Sequence, residues 1–252
     1  MTEISVQDHS SQYYDKRYSG LGMAYHKETI SWLMKHAKLK VLDAGCGTGI
    51  ISELYKDVYL DITGVDVSTE MLKKHPGKYI HCSVSEMPFP DGYFDFIVCR
   101  SLLHHLPYPY PAVKEMHRVL KPSGRIALWE TNKSALAQMV RKRTQHGDRF
   151  SEYHHSFSGN ELKSLVSSFF KVDEIRHMGY LQYPLYGFPD IIDFTPYIPF
   201  NNFTYNLTGS IDRFLEKLPV IKTMSWAIGI QAFKEGHNPE IPEKPAMAYR
   251  AT

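Results

Sequence analysis

The chain has 252 residues, 43% of them apolar, with 29 basic against 27 acidic side chains. That is enough to bury a sizeable core, as one domain with an insertion, and too evenly charged for a standing nucleic-acid footprint. Three widely spaced cysteines exclude a disulfide framework; there is no secretory pattern at the start and no apolar run near the roughly 20 residues that span a bilayer, so a cytoplasmic location is expected.

Residues 1–12 are polar. The run from Tyr13 to Met34 predicts one or two helices, with Trp32 and Leu33 anchoring the second, so residues 1–35 are expected to form a helical lid. A first strand is expected over 40–44. Then comes the stretch around which the chain is organised, Val41-Leu42-Asp43-Ala44-Gly45-Cys46-Gly47-Thr48-Gly49, an apolar segment ending in an acid and three glycines at alternate positions. It reads as a buried strand, a loop with few side chains in the way, and a helix over 49–56.

A second strand at 62–66 ends in Asp66. Ser68 is placed to cap a helix that Pro76-Gly77 stops. Strands follow at 79–83 and 94–100. A helix opened by Pro109 or Pro111 carries Val113, Met116, Val119 and Leu120 at helical spacing. The turn Lys121-Pro122-Ser123-Gly124 leads to a strand at 125–130, then a helix at 134–143. Ser158 and Glu161 form a capping-box signature, and a strand spans 172–178. Residues 181–222, rich in Pro, Tyr and Phe, break the rhythm and read as an insertion with no strong periodicity before residue 211. The last strand is expected at 226–233 and a disordered tail over 236–252. Alternating strands and helices predict an α/β fold over 36–235, a mostly parallel sheet with helices on both faces.

A crevice at the carboxyl end of the first strand is where such sheets bind nucleotides. Asp66, ending the neighbouring strand, is placed to accept both hydroxyls of a ribose. Asp43 would repel a pyrophosphate and attract a cation. S-adenosylmethionine carries a ribose, a sulfonium and an ammonium, and no phosphate, so it fits this pair of acids better than a dinucleotide does.

Beyond the glycine stretch stand Gly64-Val65-Asp66-Val67-Ser68 with Met71-Leu72, then Met87-Pro88-Phe89-Pro90-Asp91-Gly92-Tyr93-Phe94-Asp95, Leu103-His104-His105-Leu106, and Glu115-Met116-His117-Arg118-Val119-Leu120-Lys121-Pro122-Ser123-Gly124. With these the chain resembles the class I S-adenosylmethionine-dependent methyltransferases, of the UbiE-like small-molecule group, over about residues 38–130. The resemblance implies a Rossmann-like seven-stranded sheet and S-adenosylmethionine as cofactor. It puts Gly45, Cys46 and Gly47 along the methionyl part, with Asp66 on the ribose and Val67 and Met71 on the adenine. Where the family carries Asp-Ala after the third strand, this chain has Ser83-Val84, which weakens an adenine contact there. Arg100 stands where the family often has a small residue, and reads equally as a cofactor-side residue or a surface cation. From the N-terminal segment Tyr14 is favoured as the residue covering the methionyl end.

Methyl transfer is an in-line displacement that alignment and exclusion of water accelerate. A base is needed only if the acceptor must lose a proton. His104, His105, Glu130, His154 and His155 are candidates, and each histidine reads as well as a structural one. No metal-ligand spacing such as His-Glu-x-x-His is present, so no metal is expected. The aromatic insertion is expected either to cover the crevice, fitting an apolar or aromatic acceptor, or to pack on itself. Two rivals remain. A nicotinamide-dependent reductase would use Tyr110 and Lys114, which Pro111 places at a helix start. A methyltransferase-like binding or assembly protein would keep the fold without turnover. The expected partner is a small molecule rather than a nucleic acid.

Overall fold

The computed structural model describes residues 8, 11, 17–135, 137–139, 156–187, 194–199 and 201–236. Strands β1 (Lys40–Ala44), β2 (Asp61–Asp66), β3 (Lys78–His81), β4 (Phe94–Arg100), β5 (Leu120–Thr131), β6 (Lys171–Met178) and β7 (Ala227–Phe233) form one sheet of order β3-β2-β1-β4-β5-β7-β6. The first five pair in parallel, and β7 runs antiparallel between β5 and β6. This is the Rossmann-like, mostly parallel sheet that the alternating pattern predicts.

Helices cover both faces, so the central strands are apolar throughout rather than alternating. Along β4, Phe96 and Val98 join one core with Ile30 and Leu33 of helix α1 (Gly20–Leu33). Ile97 and Cys99 join the other. There they meet Val113 and Met116 of α4 (Pro109–Val119) and Leu162 and Val166 of α5 (Gly159–Ser167). Between β1 and α4 lie two short helices, α2 (Ile50–Leu54) and α3 (Thr69–Leu72).

Local signals decide several boundaries. Ser68 Oγ accepts from the Met71 N–H at 3.2 Å and caps α3. Ser158 and Glu161 complete a reciprocal capping box on α5. Pro109 opens α4, where its missing N–H costs nothing. The expected turn at 121–124 is instead absorbed into β5. Ser123 takes φ +62° and the register shifts between Phe94 and Phe96, so pairing resumes on both sides of the irregularity. The helix expected at 49–56 shortens to α2.

The region 181–222 holds more helix than its pattern suggests. It contains α6 (Gln182–Tyr186), a 3-10 turn at Thr195–Tyr197 and α7 (Asn201–Leu215). α7 begins ten residues before the periodicity was expected, because the side it turns to the protein is polar: Thr208, Gly209 and Asp212 are buried. The expected tail, apart from Gly236, lies outside the described residues, as does half of the helix expected at 134–143. Among the described residues no helix is long and apolar enough to cross a membrane.

Candidate functional site

The carboxyl ends of β1, β2 and β4 meet at the glycine turn. Gly45 and Cys46 both donate their N–H groups to Val65 O, at 2.9 and 3.1 Å, which ties the turn to the end of β2. Gly47 has φ +52°, and a Cβ built there meets nothing within 4 Å, so its main chain faces open space. Gly45 is different. A Cβ there would stand 2.9 Å from the Leu102 side chain, so its lack of a side chain serves packing against the β4 loop. The Cys46 thiol turns inward against Gly64, and burial pushes its pKa up, leaving an unreactive thiol whose main chain alone borders the turn.

Asp66 holds the crevice together. Its carboxylate accepts from Gly47 N at 2.9 Å and from Ser68 N at 2.9 Å. A carboxylate has about four lone-pair sites, so two remain for hydroxyls. Asp43, one strand over, is buried, and its Oδ2 has no hydrogen-bond partner. Burial pushes its pKa up to about 7, with Arg100 pulling it down and Asp66 pushing it up. A buried carboxyl with an orphaned oxygen calls for a donor or cation.

The rim is closed by the N-terminal region. Asp8 Oδ1 accepts from Ser68 Oγ at 2.5 Å and Glu70 N at 3.3 Å, and Ser11 O accepts from Lys74 Nζ at 2.9 Å. On the opposite rim, Tyr18 OH accepts from Arg100 Nη1 at 3.2 Å. Arg100 Nη2 lies 2.7 Å from His26 Nδ1, which accepts because burial, then the Arg100 charge, drives the His26 pKa well below its usual value. Arg100 is therefore a half-buried anchor for α1, and the surface-cation reading is set aside. Tyr18 is one of the N-terminal tyrosines, with Tyr13 and Tyr14, expected near the methionyl end; no local pattern pointed to Asp8, Ser11 or His26, which reach the crevice only through the path of the chain.

On the far side of β4, Glu130 and His104 form a buried pair. Glu130 Oε1 accepts from Leu102 N at 3.0 Å and Leu103 N at 2.8 Å, and its Oε2 lies 2.5 Å from His104 Nδ1. Burial pushes the Glu130 pKa up to about 7 against those hydrogen bonds. The His105 ring lies tilted by 39° against that of His104, with centroids 4.1 Å apart. Glu130 thus selects the tautomer of His104 and directs its ring.

The remaining candidates divide. Met71 is fully buried and Val67 is half-buried, its carbonyl bonded by His81 Nε2 at 2.9 Å. Ser83 is exposed, and its hydroxyl accepts from Ser85 N at 3.2 Å, while the Val84 side chain belongs to the core. Tyr14, His154 and His155 lie outside the described residues. The Glu115 and Arg118 motif is structural: Arg118 bonds Phe89 O and Met87 O at 2.8 and 3.0 Å and pins the loop before β4. Of the insertion aromatics, Tyr183 and Tyr186 are buried against α1 and Trp226, whereas Tyr197 and Phe203 are exposed.

Residues 42–128 match the methyltransferase domain family. A ubiquinone biosynthesis O-methyltransferase of Pseudomonas aeruginosa is 30% identical over 126 residues, covering 44% of this chain and 53% of its own. A demethylmenaquinone methyltransferase of Listeria welshimeri is 31% identical over 138 residues, covering 47% and 58%. The chain spans about half the length of the curated relatives it matches. Among solved structures, a SAM-dependent methyltransferase from Thermotoga maritima shares the fold, with a TM-score of 0.64 at 18% identity over 91% of this chain and 99% of that one.

Proposed function

We propose that the protein, whose residues 42–128 match the methyltransferase domain family, transfers a methyl group from S-adenosylmethionine to a small apolar or aromatic acceptor. The observation that carries this reading is Asp43, a buried carboxyl with an unpartnered oxygen beside an open glycine turn. A phosphate-bearing dinucleotide finds an anion there, and a sulfonium or ammonium finds its counter-charge. Asp43 and the main chain at Gly45, Cys46 and Gly47 would hold the methionyl part, Asp66 the ribose, and Val67, Met71 and the main chain near Ser83 and Val84 the adenine end. When bound, S-adenosylmethionine supplies an electrophilic methyl group.

This chain's own residues supply alignment, dryness and proton control. Asp8 and Ser11 on one rim and Tyr18 on the other border the crevice, and Arg100 holds Tyr18 there. His104, oriented by Glu130, is the group to take a proton from an acceptor hydroxyl. The quinone-related names of the curated relatives support a quinol-like aromatic acceptor.

Calorimetric titration with S-adenosylmethionine, S-adenosylhomocysteine and NADH tests the cofactor. Heat with NADH and none with the other two sinks the reading. A screen of hydroxylated aromatic acceptors with methyl-labelled cofactor tests turnover. Tight cofactor binding with no label transferred to any acceptor favours the binding-protein alternative.

A further inference from the structure

Helix α7 carries its apolar side outward. Its buried residues are Thr208, Gly209 and Asp212, with Tyr205 packed against Tyr186, and Asp212 caps α6 by accepting from Leu181 N and Gln182 N at 2.7 and 3.2 Å. Phe203, Leu207, Ile211 and Phe214 are 67%, 48%, 37% and 61% exposed. At about 100° per residue these four fall within roughly 80° of arc, on the side away from Thr208 and Asp212. Tyr197 before the helix and Val220 and Met224 after it are exposed as well. Single exposed apolar residues are ordinary, but four on one face of a helix mark a surface that something covers.

The charges around the strip identify the cover. Both acids of residues 194–224 are engaged inward: Asp212 on the α6 main chain, and Glu216 on Arg176 at 2.8 and 2.7 Å. Lys217 and Lys222 are exposed and make no ion pair among the described residues, whereas Arg213 pairs with Glu28 of α1 at 3.6 Å. An apolar helical face with a cationic margin is the pattern of helices that lie in the lipid–water interface.

We propose that α7 and its flanking turns seat the protein on an anionic lipid bilayer surface, lying in the interface without crossing it. The proposal does not depend on methyl transfer. It has a consequence for it, however: Tyr205 OH bonds Glu28 at 3.1 Å, so the seated helix is tied to α1 two residues from His26, which meets Arg100 at the crevice rim. A lipid-dissolved acceptor would then reach the crevice from the surface on which the protein rests.

The test is co-sedimentation of the full chain with phosphatidylcholine vesicles and with vesicles of phosphatidylcholine and phosphatidylglycerol. Sedimentation velocity without lipid, circular dichroism and cofactor calorimetry accompany it. The wild-type protein is expected to pellet with the anionic vesicles only, and less so at high salt. Phe203→Ser with Phe214→Ser, and separately Lys217→Glu with Lys222→Glu, should each weaken this by about tenfold or more while leaving the circular dichroism and cofactor heat unchanged. Failure to pellet with anionic vesicles, or equal pelleting with both, overturns the proposal. So does a wild-type dimer that the Phe203 and Phe214 changes dissociate without any lipid binding, which would make the strip a contact between copies. Each of these failures leaves the cofactor heat, and with it the methyltransferase reading, intact.

Discussion

Binding of S-adenosylmethionine should expel a proton from Asp43. In the folded chain burial, opposed by Arg100 and aided by Asp66, raises this carboxyl from 3.8 to about 7. Between those two values the folded protein keeps a proton that the unfolded chain has lost, so Asp43 makes the ligand-free protein less stable as pH rises through that window. A shift of this size corresponds to roughly 4 kcal/mol between the two protonation states. A cation beside the orphaned Oδ2 reverses the preference and ionises the group. A carboxyl with a pKa of about 7 is about half protonated at pH 7 and about nine-tenths protonated at pH 6, so those fractions of a proton leave per ligand bound. Affinity should therefore weaken by up to about tenfold per unit below pH 7 and level off above about pH 8. Calorimetry in two buffers of equal pH and different ionisation enthalpy counts the protons directly. Asp43→Asn should abolish the release, which separates it from any proton exchanged by the ligand's own amine. No release between pH 6 and 7, or the same release in the variant, would refute the assignment of Asp43 as the counter-charge.

Asp66→Ala should weaken cofactor binding by about tenfold or more, since a carboxylate lost from two hydroxyls removes charge-assisted bonds. It should also lower the melting temperature, because the Gly47 and Ser68 N–H groups lose their acceptor. An unchanged affinity in a folded variant would put the ribose elsewhere. Gly47→Ala meets no steric neighbour but holds φ +52°, so it should cost about 1–2 kcal/mol of stability through backbone strain alone; a larger loss would mean that the turn is packed. Glu130→Gln keeps an oxygen for the Leu102 and Leu103 N–H groups and removes the charge facing His104. Turnover should fall and its pH profile shift while cofactor affinity stays constant, and an unmoved profile would assign the pair a structural role. Proteolysis around residues 10–25 should slow when cofactor is added; equal rates would leave that segment a structural connection.

Much of this protein is legible along the chain because it is decided locally. The strand at Phe94–Arg100, the Ser158 and Glu161 box, the Ser68 cap and Pro109 at the start of α4 each depend on residues within a few positions of one another. Asp43 and Asp66 are recognisable as a pair because parallel strands both deliver their carboxyl ends to the same edge. The partners of those residues are another matter. Gly45 is glycine for Leu102 and Arg100 is an anchor for His26, contacts made across 57 and 74 positions that no window of sequence contains. The path by which Asp8 reaches Ser68 is equally invisible. So is the direction of α7, since periodicity reports that a helix has two faces and is silent on which one is buried. Here tertiary packing chose the polar face, because Asp212 is needed at the start of α6 and Glu216 at Arg176. The apolar face was left to the surface by that choice.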